Sequence, residues 1–220
     1  MRRNNNNKPA QQPAPVNPDG VLDLLTRALK KNKEIILGVV AAVVLAAAGW
    51  AVWEHIEHKR YQAQWGNLFL VELDFMNNED RSLQPLEDFA AQNRATDAGV
   101  QAAFMLGNAY YQLKDFVKAA FYFKQAVENA NKYMAPLAEV SLIATQIAST
   151  DYQGAITQAD SFAAKYPAHF AMGQVKHYKA LAQELSGKTA AAKESYAVIE
   201  QDYPNTYYAA FAQQRLGALK

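Results

Sequence analysis

The sequence predicts an all-α protein: one N-terminal transmembrane helix followed by an α-solenoid of about three to four helix-turn-helix repeats. Three observations carry this. Ile35 to Trp53 form an unbroken apolar run, residues recur at intervals of 36–37, and no segment shows the sustained period-two alternation of a strand.

Composition limits the rest. Of 220 residues, 50% are apolar and 20% charged, enough to fold most of the chain around a core. A mean hydropathy of -0.25 excludes a polytopic membrane protein. The formal net charge of +1 argues against a general nucleic-acid binder. The absence of cysteine excludes disulfides, thiolate metal sites, a cysteine nucleophile and a lipidated N-terminal Cys. Residues 1–34 hold seven basic and three acidic groups, so a basic head precedes a mildly acidic body.

Residues 1–20 read as a disordered tail, with Asn4 to Asn7 polar and Pro9, Pro13, Pro15 and Pro18 interrupting any helix. Across 21–34, Leu22, Leu25 and Leu29 recur at helical spacing, and Arg27, Lys30, Lys31 and Lys33 make the end basic. Such an amphipathic helix suits an anionic membrane surface, or it simply runs on into the next helix. Residues 35–53 contain no charge and, at about 1.5 Å per residue, reach roughly the thickness of a bilayer core. Trp50 and Trp53 stand at the far end, where interfacial aromatics belong. Four basic residues precede the run (Arg27, Lys30, Lys31, Lys33) and two follow it closely (Lys59, Arg60). The positive-inside bias thus keeps the N-terminus in the cytoplasm and sends 54–220 outside. Ala46-Ala47-Ala48 resembles a cleavage site, but the run is long for a signal core and two tryptophans follow at once.

The body repeats. Asp115-Phe116 returns as Asp151-Tyr152, Ala119 as Ala155 and Ala192, and Tyr166-Pro167 as Tyr203-Pro204. Each period holds two helices: 100–113 with 116–130, 136–149 with 153–165, and 172–185 with 189–201, closed by 207–219. Upstream, 56–76 continues the membrane helix and 83–93 pairs with it. Within the first pair Leu106, Gly107 and Tyr110 are expected to meet Ala119, Phe123 and Ala126. The small residues let the backbones approach and the large ones fill the space beside them.

At these positions the sequence resembles the tetratricopeptide repeat (TPR) family over roughly 83–219. Leu106, Gly107, Tyr110, Ala119, Phe123 and Ala126 fall at the family's spacing, and Pro167 and Pro204 where its end-of-repeat proline lies. Gln146 and Gln183 depart from it, replacing the aromatic that Tyr110 supplies. The whole layout, a basic head, one span ending in tryptophans and an external TPR-like body, is similar to the bacterial single-span family of the ancillary Sec translocon subunit. That resemblance implies a non-catalytic scaffold in the inner membrane with its C-terminal domain in the periplasm. The implied partners are translocon subunits, envelope chaperones or exported chains. The run Tyr203 to Ala210 also resembles TPR modules that coordinate cell division, cell-wall or outer-membrane assembly.

Reactive constellations are weak. Glu54-His55-Ile56-Glu57-His58 lacks the two-His spacing of a zinc protease, and His169 and His177 stand alone. Gly187-Lys188-Thr189 ends like a phosphate loop, yet Ala182 replaces its first glycine and no strand precedes it. No catalysis, metal, cofactor, nucleic acid or small-molecule substrate is expected. The expected site is a protein-binding groove on the first helix of each pair: Gln101, Phe104, Asn108 and Tyr111; Val140, Ala144 and Ile147; Gln174, His177, Leu181 and Glu184. Its mixed apolar and amide character suits extended or apolar peptide segments. The same positions can equally pack against a neighbouring repeat or against Tyr207, Tyr208 and Phe211.

Overall fold

A computed structural model describes residues 30–77 and 82–219. Among them the chain is entirely helical, without strands: α1 (Lys33–Asn77), α2 (Gln84–Gln92), α3 (Asp97–Gln112), α4 (Phe116–Asn129), α5 (Met134–Ala148), α6 (Tyr152–Lys165), α7 (Met172–Leu185), α8 (Thr189–Asp202) and α9 (Tyr207–Ala218). Two compact units divide at Arg60. The tail expected at 1–20, and the part of the expected 21–34 helix before residue 30, lie outside the described residues. Lys30 and Lys31 are helical and Asn32 is a turn.

In the first unit, every residue of α1 from 37 to 60 is exposed, and its most apolar window has a mean hydropathy of 2.6. The helix is long and apolar enough to cross a membrane, a test that a signal sequence also passes.

In the second unit, the end of α1 supplies Leu68, with Trp65 and Val71 beside it, to a core shared with Leu86, Phe89 and Ala90 of α2. Helix pairs α3–α4, α5–α6 and α7–α8 follow, and α9 closes the stack. Successive helices from α2 onward pack on one another. The first helices α3, α5, α7 and α9 also pack side by side, whereas the backbones of α4, α6 and α8 stay apart, with the Lys188 side chain at the start of α8 reaching Gln153 of α6. This one-sided stacking makes a helical solenoid with a continuous inner face.

The connections within the pairs are made the same way three times. Lys114, Thr150 and Gly187 take φ of 61°, 65° and 79°. The next amide bonds back five residues, Asp115 to Tyr110, Asp151 to Gln146 and Lys188 to Gln183, each at 2.8–2.9 Å. These are Schellman caps, in which a left-handed residue ends the helix and satisfies its last carbonyls. The turn chemistry at 187–189, which in sequence resembles the end of a phosphate loop, is therefore a helix cap. The side chains of Asp115 and Asp151 then start α4 and α6 by accepting from the amides of Lys118 and Gly154, both at 3.0 Å; Lys188 makes no such cap.

Two boundaries differ from expectation. Helix α3 starts at Asp97 rather than at residue 100, because Thr96 caps it by accepting from the Gly99 amide at 3.1 Å. Glycine is required there: a Cβ would lie 1.9 Å from the Asn93 carbonyl oxygen. Helix α5 starts at Met134, leaving Pro136 inside its first turn, where a missing N–H costs no hydrogen bond.

Candidate protein-binding face

The crossing of α3 and α4 builds the start of the inner face. Leu106, Gly107, Tyr110, Ala119, Phe123 and Ala126 are all buried. A Cβ on Gly107 would stand 2.6 Å from the Phe123 ring, so only glycine lets the helices approach this closely. Phe123 in turn supports Phe104 edge-on at 5.7 Å. Tyr110 stacks on Tyr122, its hydroxyl donating to Glu87 and accepting from Lys118 Nζ at 3.1 Å.

Along the inner helices the expected residues divide into two groups. Gln101, Phe104 and Tyr111 are half-buried and Asn108 is exposed, its amide donating to the Phe104 carbonyl at 3.1 Å. Tyr111 leans on Phe116 at 5.5 Å. Ala144, Ile147, Gln174 and Leu181 are half-buried, with Gln174 donating to the Tyr178 hydroxyl at 2.9 Å. These side chains form a surface of amide and apolar groups without a charge of its own.

Val140 and His177 correct the expectation. Val140 sits inside the core with Ile143, Ala155 and Phe162. His177 is 7% exposed because α9 lies against it: Phe211 meets the imidazole edge-on at 4.6 Å, Tyr208 lies 5.7 Å away and Tyr207 6.2 Å away. Its Nδ1 has no hydrogen-bond partner, and burial holds its pKa below the ordinary histidine range. Both side chains pack the solenoid rather than line a groove. Glu184 is likewise engaged: it accepts from Arg215 Nε at 3.0 Å and from the Tyr196 hydroxyl at 2.9 Å, and Arg215 Nη2 bonds its other oxygen. The arginine holds the Glu184 carboxyl below its usual pKa. That pair fastens α9 to α7 and leaves no free carboxylate on the face.

Sequence reasoning passed over two cavities. One of about 630 Å³ is lined by Phe75, Leu83, Ala109, Tyr110, Gln112 and Leu113. The other, about 300 Å³, is lined mainly by Lys176, Lys179, Gln183 and Ser195; there Ser195 donates to Gln183 at 2.7 Å. Both lysines are already paired, Lys176 with Asp202 at 2.7 Å and Lys179 with Asp160 at 2.6 Å. The apolar lining of the first was legible as Leu83 and Leu113, but nothing in their spacing marks a cavity.

Taken together, these features define a class: a helical-repeat protein whose long packed face is its main offering. Residues 28–173 match the model of the tetratricopeptide repeat-like domain, and the chain belongs to that family. The matched stretch includes the apolar helix as well as the first two helix pairs. No curated protein matches the chain. Domains of this kind generally mediate protein–protein interactions and typically act as scaffolds without catalysis.

Proposed function

We propose that this chain is a membrane-anchored, non-catalytic scaffold of a bacterial cell envelope, associated with the Sec translocon. Residues 35–53 span the inner membrane with the N-terminus in the cytoplasm, and 54–220 work as a docking platform on the periplasmic side. Its partners are translocon subunits, envelope chaperones or exported chains. The supporting observation is that one family match covers both the exposed apolar helix and the first two helix pairs. Phe104, Tyr111, Ile147 and Leu181 offer apolar contacts between amides, which suits extended peptide segments.

The test is a mild-detergent pull-down of the full-length chain beside one lacking residues 1–53, with photo-crosslinkers at positions 104 and 111. Capture of channel subunits or envelope chaperones by the full-length chain is expected. Recovery of division, cell-wall or outer-membrane assembly components, unchanged by loss of the channel, would replace this reading with a coordinating role for those machineries.

A further inference from the structure

Three aromatic side chains recur once per repeat at one edge of the solenoid. Tyr133, Phe170 and Tyr207 are 37 residues apart, and each stands at the entry to a first helix, α5, α7 and α9. They are 72%, 84% and 71% exposed. Tyr207 turns one edge toward His177, 6.2 Å away, yet most of each of the three side chains is uncovered. An aromatic left in water forfeits the stabilisation that burial would bring, so three at equivalent positions call for an occupant. The fourth equivalent position, Asp97 at the start of α3, is polar and accepts from Asn131 at 3.1 Å.

We infer that this edge contacts the bilayer interface, with Tyr133, Phe170 and Tyr207 inserting at headgroup depth. The inference rests on the tether proposed above. Protrusion selects the occupant: a peptide or small ligand is held in a concave site that encloses most of its surface, whereas these rings stand on turns and helix entries and are themselves mostly uncovered. A soft, planar interface takes up such tips without a groove. The local chemistry matches it. Lys132 Nζ sits 5.0 Å from the centre of the Tyr133 ring, and the His169 ring lies 4.4 Å from Phe170. Aromatics beside cationic or polar groups are what the headgroup region accommodates. The apolar run and the edge belong to one chain, so insertion of the run makes contact of the edge with lipid an intramolecular event, in which weak contacts add up.

The chain has no cysteine, so single labels are straightforward. The full-length protein is reconstituted into vesicles of phosphatidylethanolamine and phosphatidylglycerol carrying brominated lipids. An environment-sensitive fluorophore is placed in turn at Lys132→Cys, His169→Cys and Asn205→Cys on this edge, at Lys114→Cys on the opposite turns, and at Ala47→Cys in the span. Labels at 132, 169 and 205 are expected to be quenched and the label at 114 not. Combining Tyr133→Ala, Phe170→Ala and Tyr207→Ala should bring the three edge labels down to the level of 114 without changing the helical circular dichroism. Quenching at 47 with none at the edge overturns this inference and leaves the tether standing. An unquenched label at 47 removes both. Shielding of the edge labels by an added unfolded polypeptide, without lipid quenching, assigns the ladder to a protein ligand and overturns the membrane reading.

Discussion

In the first helix pair, Gly107 on α3 faces Phe123 on α4; one repeat later Ile143 and Ala159 occupy the same two positions. The third pair returns to small and large with Ala180 and Tyr196. All of these side chains are buried, at 0–1% exposure for Phe123, Ile143, Ala159, Ala180 and Tyr196. The two regions thus fill equivalent buried positions by opposite allocations of volume. What the fold demands at this point is a sum of side-chain volumes, not an identity at either position.

Breaking that sum gives the largest expected effect. Phe123→Ala leaves a cavity and should cost about 3–5 kcal/mol in urea unfolding of the full repeat body. Gly107→Ile drives a side chain into the Phe123 ring and should cost at least as much. Gly107→Ile with Phe123→Ala installs the arrangement of the second pair, and the double variant should be more stable than the summed single losses by about 1–3 kcal/mol. Strict additivity would show that the two positions do not share volume.

This also explains what could be read without coordinates. The 36–37 period, the helix limits other than the starts of α3 and α5, and the Leu106 to Ala126 pattern were legible, because period and small residues are local properties of the chain. The exchange of volume at Ile143 and Ala159 was not legible, because motif matching asks for residue types and not for a sum of two positions. Gln146 and Gln183 looked like lapses from Tyr110, yet Gln183 is 8% exposed and holds Ser195. His177 could be assigned to the groove or to packing against Tyr207, Tyr208 and Phe211, and periodicity does not choose, because its burial depends on α9, 30 or more residues later. The spacing of Tyr133, Phe170 and Tyr207 was present in the letters, but only their exposure separates a surface ladder from core residues.

The solenoid's first and last joints differ in their acid sensitivity, and a smaller effect sharpens that contrast. The α3–α4 crossing is centred on Gly107 and Phe123, with the Lys118–Tyr110 hydrogen bond beside them, whereas α9 docks on α7 through His177 and Glu184. His177 is faced by Tyr178 on its own helix and by Tyr207 and Tyr208 on α9, with the Glu184–Arg215 pair two turns further along. Burial depresses its folded pKa below the ordinary 6.5, so the unfolded chain binds the proton more readily. Stability is then full above pH 6.5 and is lost as pH falls from 6.5 through the folded pKa. Glu184 is also depressed, and its contribution is lost later, below its ordinary 4.5. The urea midpoint of the wild-type chain should fall between pH 7 and 5.5 by more than that of His177→Phe. Parallel curves for the two proteins would show that the imidazole is not buried in the folded state.

The smallest effects compare the three turns within the pairs, which share a backbone but not a sequence. Residues with φ near +60° carry a steric cost of roughly 1–2 kcal/mol unless they are glycine. Gly187 avoids it and Thr150, β-branched, bears it in full. Glycine also raises the entropy of the unfolded chain, which offsets part of the gain. Thr150→Gly should therefore stabilise by about 0.5–1 kcal/mol, and Gly187→Thr should destabilise by a similar or larger amount. The helix starts show the reverse inequality. Asp115 and Asp151 cap α4 and α6, while Lys188 leaves the first amides of α8 without a side-chain acceptor. Lys188→Asp supplies that acceptor and places a negative charge at a helix N-terminus, for a gain of about 1 kcal/mol, reduced by loss of the Lys188 bond to Gln153. Lys188 bonds Gln153, three residues beyond Thr150, so a departure from additivity in the thermal shifts of Thr150→Gly and Lys188→Asp would measure the coupling of the two turns. A Lys188→Asp chain no more stable than Lys188→Ala would show that the missing cap is already met by water.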